Sequence, residues 1–299
     1  MPNGKGDTHL KGVLCLSSEV SYGAVGLSAG RFVLQRLGID VWGLATIQLP
    51  THPGHAGPAQ RTARPPTDTE RLFDHLDTLH GGGFLGGAEA LLSGYLAHPD
   101  QARVLDRALK LIRAEAPNAP IVLDPIFGDD DTGIYVDPAL PTLWLEEFLP
   151  QGDILVPNRF ELAHLTGHEV TDPQSAVAAC RHLVTRFGRA GNPPAIIASS
   201  IPCEEGKTGT VLLTGARQGI VRTPAFAAVP HGTGDCLAAL VLAHFLQGRP
   251  LTEAVSHAVS SVYALCADAV ARDLDELPLI DLQEALIAPP EIFALDPII

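Results

Sequence analysis

Pro230-His231-Gly232-Thr233-Gly234-Asp235, running on into Cys236-Leu237-Ala238-Ala239-Leu240-Val241-Leu242-Ala243, is a flexible turn that ends in an acid and opens onto an apolar helix. Glycines let the backbone bend until several N–H groups point to one place, and a helix N-terminus adds partial positive charge there. That combination makes an anion hole, able to hold the charge of a phosphoryl group in transfer. A carboxylate at the mouth of an anion hole is electrostatically out of place unless it takes a proton, and an attacking alcohol would supply one. The plainer alternative is a Gly-rich turn with Asp235 as a helix N-cap.

Outward from this turn, short β-branched runs alternate with longer segments of helical period, the pattern of an α/β protein with a largely parallel sheet. Strands are expected at 13–17, 41–47, 90–93, 121–124, 154–156, 196–199 and 210–214. Pro99 stands at a first turn ahead of Val104, Leu105, Ala108, Leu111 and Ile112, which form one apolar helical face. Asp172-Pro173 opens another helix, with Ala176, Val177, Cys180, Leu183 and Val184 in the same period. Two more helices follow the Gly turn, at about 233–247 and 252–269.

Two of the strands end in acids. Ile121-Val122-Leu123-Asp124-Pro125-Ile126-Phe127-Gly128-Asp129 runs from a buried strand to one acid and, past a turn, to a second. Ile154-Leu155-Val156-Pro157-Asn158-Arg159-Phe160-Glu161 repeats the design. Ligands of parallel sheets gather beyond the carboxyl ends of strands, and a few carboxylates placed there suit Mg²⁺ bound to phosphate oxygens. The structural alternative for each is an Asx-turn or a helix cap. Nearer the start, Ser17-Ser18-Glu19-Val20-Ser21-Tyr22-Gly23-Ala24-Val25-Gly26-Leu27-Ser28 offers small residues and hydroxyls suited to a pocket floor that lets a ring approach the backbone.

Three resemblances to known motifs fail on context. Gly81-Gly82-Gly83-Phe84-Leu85-Gly86 fits a dinucleotide-binding spacing, but it follows a helical stretch, 71–80, and leads into a strand, the reverse of that fold. Gly206-Lys207-Thr208 ends like a phosphate loop, yet Ile201 stands where the first glycine belongs and strand residues follow. His52-Pro53-Gly54-His55 lacks helical spacing and a nearby thiol or carboxylate, so a solvated or substrate-facing loop is preferred over a metal pair.

The 299 residues are 46% hydrophobic and can bury a large core. No composition shift marks a linker and no repeat is present, so one domain spanning 1–299 is expected, with residues 1–11 as a flexible start. Residues 48–67, rich in Pro, Gly, His and Thr, form a loop long enough to suggest function. A formal charge of −14 argues against nucleic acid and anionic membranes as partners. With lysine only at positions 5, 11, 110 and 207, a phosphate site must lean on backbone amides, arginine and metal ions. The five cysteines (15, 180, 203, 236, 266) are widely spaced without a C-x-x-C pair, which fits reduced thiols in a cytoplasm. Residues 1–11 show no secretory pattern and the apolar runs are interrupted short of a membrane span, so the expectation is a soluble intracellular protein.

These motifs in this order resemble pyridoxal kinases of the ribokinase-like superfamily, from about residue 13 to 271. The likeness is carried by Ser18-x-Val20-x-Tyr22-Gly23 with Gly26-x-Ser28, Leu34-Gln35-Arg36-Leu37-Gly38, Ser93-Gly94-Tyr95, Asp124-Pro125-x-x-Gly128-Asp129, Gly133-Ile134-Tyr135-Val136, Pro157-Asn158-x-x-Glu161-Leu162 and Gly232-Thr233-Gly234-Asp235. The Gly-Thr-Gly-Asp turn indicates the superfamily, and the Ser-x-Val-x-Tyr-Gly segment indicates the vitamin B6 branch. The resemblance implies a three-layer α/β/α domain that transfers the ATP γ-phosphate to the 5′-hydroxymethyl group of pyridoxal, pyridoxine or pyridoxamine. It implies Asp235 as the base and the Gly232 and Gly234 amides as the phosphoryl hold. Asp124, Asn158, Glu161, Ser199 and Thr233 would face ATP. Asp124, Asp129, Tyr135 and Glu161 would lie where the family places Mg²⁺ and, often, K⁺.

For the vitamer, the resemblance implies Ser18 at the pyridine edge, Tyr95 beside the ring and residues 48–67 closing over the site. The substrate histidine is His52 or His55, with His52 preferred. A cytoplasmic homodimer is implied. Ser17, Glu19 and Leu27 stand where the family commonly has Gln, His and Asn, Thr51-His52-Pro53-Gly54-His55 differs from the family's loop, and Ala198 replaces a usual threonine. A hydroxymethylpyrimidine kinase of the same fold and a non-catalytic B6 binder are the competing readings. The first usually begins Gly-Ser-Asp-x-Ser-Gly-Gly-Ala-Gly, unlike this chain. A binder would need no acid at Asp235.

Overall fold

Along β1 (Gly12–Tyr22), Val13 and Cys15 pack into one hydrophobic core while Leu14 and Leu16 pack into another, so this strand is buried on both faces. The computed structural model describes residues 11–55, 66–187, 193–215 and 217–298. After β1 come α1 (Leu27–Arg36), β2 (Asp40–Thr51), α2 (Thr69–Gly81), β3 (Ala88–Ser93), α3 (Ala102–Glu115) and β4 (Ile121–Leu123). A small hairpin of β5 (Gly128–Asp129) and β6 (Gly133–Ile134) precedes α4 (Leu140–Leu143), β7 (Ile154–Leu155), α5 (Arg159–Thr166) and α6 (Pro173–Phe187). The chain then builds β8 (Ala195–Pro202), β9 (Lys207–Leu213), β10 (Gln218–Pro224), α7 (Thr233–Leu246), α8 (Leu251–Ala271) and β11 (Leu295–Asp296).

The main sheet has the order β11-β10-β9-β8-β7-β4-β3-β1-β2. Pairing is parallel from β2 through β8 and antiparallel from β8 to β11. One core lies under α1, α7 and α8, and the other under α2, α3, α5 and α6, which gives the expected α/β/α layering. Strand order reverses at β1, which pairs with β2 on one side and β3 on the other. That switch point opens a crevice beyond the strand ends. A bulge in the β1–β2 pairing between Ser17 and Glu19 lies on this rim, and bulges there re-aim side chains.

Helix α7 positions the turn singled out from sequence. Its residues from Cys236 to His244 are all buried, and each fully buried Leu or Val contributes about 1.5–3 kcal/mol. The N-terminus of so deeply packed a helix is fixed relative to the sheet.

Several sequence expectations shift. β2 continues to Thr51, so 48–51 is strand rather than loop, and 56–65 of the expected covering loop lie outside the described residues. The expected flexible start, 1–11, lies outside them too, except Lys11. β1 runs on to Tyr22 because Glu19, Val20 and Tyr22 still pair with β2. β10, β11 and the β5–β6 hairpin were not anticipated, the last two being too short to show a period. The rejected motifs behave as read: Gly81–Gly86 connects α2 to β3, and Lys207 begins β9. Against the expectation of interrupted apolar runs, α8 is long and apolar enough to cross a membrane; 56% of its most apolar stretch is buried within the fold, as in a core helix. The five cysteines are unpaired.

Candidate active site

The candidate residues collect beyond the carboxyl ends of the parallel strands: Ser18 on β1, Tyr95 after β3, Asp124 after β4, Asn158 after β7 and Ser199 in β8. The Gly turn closes the group from the α7 side. Gly232 is the N-cap, left-handed at φ 86°, and no side chain caps α7. The amides of its first turn therefore stay available to an anion. Asp235 is the third residue of the helix and not its cap, so the capping alternative fails.

Burial raises the Asp235 pKa to about 6, opposed by a hydrogen bond from the Gly26 backbone N–H. Gly26 in turn lies hard against Ser18, where a Cβ would meet the Ser18 carbonyl oxygen at 2.1 Å and its Oγ at 2.4 Å. The Ser18 residue is 9% exposed and its hydroxyl makes no hydrogen bond with the described residues. A small cavity of about 20 Å³ brings Ser17, Leu27, Asp124 and Asp235 to one wall. A larger hollow of about 560 Å³, lined by Lys207, Arg222, Phe293 and Asp296 among others, lies along β9, β10 and β11 and includes none of the candidate residues.

Beside Asp235 lies an acidic group. Asp124 is 5% exposed, and burial, then Glu161 and Asp235, holds its pKa well above the usual carboxylate range. Its carboxylate accepts no hydrogen bond from the described residues. Glu161 is pushed up to about 8 by burial, despite hydrogen bonds that lower it. Its Oε1 accepts from the Phe127 N–H at 3.1 Å and its Oε2 from the Asn158 N–H at 2.9 Å. The Asn158 side chain returns the bond, accepting from the Glu161 N–H at 2.8 Å, which makes a capping box at the start of α5. The cap anticipated as the structural alternative is therefore real. The same box holds Asn158 near Ser199, whose N–H donates to the Pro157 carbonyl at 3.1 Å.

Asp129 opens the β5–β6 hairpin, where its Oδ1 accepts from the Thr132 N–H and hydroxyl, both at 2.7 Å. Although Tyr135 as a whole is 45% exposed, desolvation of its phenol, then the charges of Glu161, Asp129, Asp124 and Asp235, raises its pKa above the ordinary value. Among the described residues no three His, Cys, Asp or Glu side chains make a metal cage. A buried carboxylate without a donor, flanked by two more, nevertheless fits a hard divalent cation. Mg²⁺ takes only one or two protein carboxylates and completes its shell with water and phosphate.

On the ring side, the half-buried Tyr95 is fixed by its backbone, with its N–H on Ser17 Oγ at 3.2 Å and its carbonyl accepting from Thr46 Oγ1 at 2.7 Å. His52 packs against His231, with ring centroids 4.0 Å apart and the planes tilted by 34°. Burial, then His231 and His55, lowers the His52 pKa to about 4, so this imidazole is neutral at physiological pH. His55 instead turns to Glu276, with its Nε2 2.5 Å from Oε1. His231 lies in the turn without a motif role of its own, and Glu276 belongs to no motif. Their partners lie far away in sequence, so no local signal marks them.

The family model described as phosphomethylpyrimidine kinase matches residues 89–278. Pyridoxal kinase PdxY of Rubrobacter xylanophilus is 35% identical over 285 residues, covering 94% of this chain and 95% of its own. The corresponding protein of Deinococcus radiodurans is 32% identical over 290 residues, covering 96% of each. Among solved structures, pyridoxal kinase from Leishmania donovani in complex with ADP and pyridoxamine matches with a TM-score of 0.87 at 25% identity, over 97% of this chain and 100% of that one. Pyridoxal kinase from Entamoeba histolytica, at 24% identity over 97% of this chain and 100% of that one, shares the fold with the same TM-score, 0.87.

Proposed function

The chain belongs to the pyridoxal kinase family, and from that premise we propose that it transfers the γ-phosphoryl group of ATP to the 5′-hydroxymethyl group of pyridoxal or a related B6 vitamer. One observation carries the chemistry: a carboxylate with a pKa of about 6 stands in the first turn of an uncapped, deeply packed helix. Asp235 takes the alcohol proton as that oxygen bonds to the γ-phosphorus and the bond to ADP breaks. The amides from Gly232 to Gly234 hold the charge on the moving phosphoryl group. Asn158, Ser199 and Thr233 face ATP. Ser18, its hydroxyl unpaired among the described residues, meets the pyridine edge, Tyr95 flanks the ring, and His52 is the histidine that meets substrate because His55 is taken by Glu276. Two solved structures of the Leishmania donovani relative hold ADP, one with pyridoxamine and the other with pyridoxine, which supports the pairing of nucleotide and vitamer.

Asp124 and Glu161, with Asp129 and Tyr135 alongside, are the residues that would hold Mg²⁺ and a monovalent ion such as K⁺. Mg²⁺ supplies charge neutralisation on the ATP phosphates when bound. Glu161→Gln cannot accept from both the Phe127 and Asn158 amides, so it weakens the site and its support together. The Mg²⁺ concentration for half-maximal rate is expected to rise in this variant, measured by titrating Mg²⁺ at fixed ATP. An EDTA-insensitive rate would show that the carboxylates have been misassigned. A homodimer in the cytoplasm, with its thiols reduced, completes this reading.

The phosphomethylpyrimidine kinase description favours the second reading, a hydroxymethylpyrimidine kinase. That match begins at residue 89 and leaves out the segment from Ser18 to Ser28, whereas the pyridoxal kinase relatives align over nearly the full chain. ATP consumption with the three vitamers, hydroxymethylpyrimidine, ribose and adenosine separates the possibilities. A vitamer is expected to be the fastest acceptor, and Ser18→Ala to weaken pyridoxal binding by about 1 kcal/mol, the net value of one neutral hydrogen bond. Faster phosphorylation of a sugar, a nucleoside or the pyrimidine than of any vitamer overturns the assignment.

A further inference from the structure

Three separate pieces of the site converge on the short segment after α8. The first is the end of β1: the Ala24 N–H donates to Glu276 Oε2 at 2.6 Å. Gly23 packs so closely that a Cβ would lie 2.3 Å from Glu276 Oε1. The second is the residue run that follows β2: His55 Nε2 lies 2.5 Å from Glu276 Oε1. The third is the phosphoryl turn: the His231 N–H donates to the Asp275 carbonyl at 3.0 Å, and His231 forms a parallel bridge with Glu276. The Glu276 side chain is 16% exposed, so both of its oxygens work largely out of water. Ala24 closes the circuit, because its carbonyl oxygen abuts Gly232, where a Cβ would meet it at 1.8 Å.

We propose that Glu276 is a positioning residue that ties His55, three residues on from His52, and Ala24 to the Gly232 turn that holds the migrating phosphoryl group. It touches no reacting atom. One carboxylate is shared between His55 and the Ala24 amide, and the Ala24 carbonyl abuts Gly232, so displacement of His55 is felt at the turn.

The proposal rests on the kinase reading above, and steady-state kinetics with pyridoxal and ATP test the two separately. Glu276→Ala is expected to raise KM for pyridoxal and lower kcat by about tenfold, the range of a charged hydrogen bond, with KM for ATP nearly unchanged. His55→Ala is expected to raise KM for pyridoxal with a smaller loss in kcat. The double variant should match Glu276→Ala alone, because both changes cut one connection. Glu276→Gln keeps an acceptor for the Ala24 amide and should recover most of kcat. Glu276→Met, of similar length but without an acceptor, replaces Glu276→Ala in the cycle if the alanine variant does not fold. A purely structural role would lower melting temperature and active fraction while leaving both KM values in place. Independent, multiplying effects of Glu276 and His55, or unchanged kcat and KM in the variant that lacks an acceptor at 276, overturn the coupling while leaving the kinase reading intact. A wild-type enzyme that phosphorylates no vitamer overturns both.

Discussion

Asp235→Asn is expected to lower kcat by about 10²–10⁴-fold with little change in KM for either substrate. Asparagine keeps the size of the side chain and can still accept the Gly26 N–H, but it cannot take the alcohol proton. The loss therefore appears in the transition state and not in ground-state binding. Stopped assays over the full substrate range measure it, and wild-type turnover in this variant would remove Asp235 from the mechanism.

The pKa of Asp235 gives the same residue a pH signature. With its pKa raised to about 6 by burial, the base is ionised above that value, and kcat/KM should fall as pH drops through about 6. Stability runs the other way. A carboxyl whose folded-state pKa exceeds its unfolded value favours folding when protonated, and that contribution is lost as pH rises through about 6. At pH 7–8 the buried charge thus works against the fold, so Asp235→Asn should melt at a higher temperature than the wild type. The difference should vanish below the unfolded carboxyl pKa of about 4. A variant that is inactive yet more stable is the pattern expected where a functional charge is held against its environment.

Legibility in the sequence followed the range of each signal. The α7 pattern, Cys236-Leu237-Ala238-Ala239 onward, is a local apolar run after a Gly turn, so both helix and turn could be read directly. The strand-end acids Asp124 and Glu161 were visible because a buried strand announces its own end. The capping box of Asn158 and Glu161 was visible as an alternative, and the structure forms it with Glu161 beside the buried Asp124. The course of 48–51 was misread because Pro50 and Thr51 look like loop, while the pairing of Thr51 with Tyr22 that keeps them in β2 is a tertiary contact. Glu276 shows the same limit in its clearest form. Nothing near it in sequence marks it, since its partners Ala24 and His55 lie 252 and 221 residues away. The β5–β6 hairpin that carries Asp129 is held by two residues on each side, below the length at which a period exists.

Gly232→Ala is expected to abolish measurable turnover or lower it at least about 10²-fold, the scale of losing one anion-hole donor, and to lower the melting temperature as well. Two independent constraints meet at this residue. Its φ of 86° lies in the left-handed region, which costs an L-residue about 1–2 kcal/mol. A Cβ there would also sit 1.8 Å from the Ala24 carbonyl oxygen. That oxygen belongs to backbone and cannot swing aside, because the Ala24 N–H is held on Glu276. Relief must come from the turn itself, which carries the first-turn amides away from the phosphoryl position. Gly234→Ala is the control within the same motif: no atom lies within 4 Å of its Cβ position and its φ is not left-handed. Alanine there should leave the melting temperature unchanged or raise it slightly, since it is the better helix former. Any loss of rate in Gly234→Ala then reports close approach of the phosphoryl group to that amide, separately from the fold. A Gly232→Ala enzyme with normal turnover and normal melting temperature would show that the turn does not need this geometry, and would separate the phosphoryl hold from residue 232.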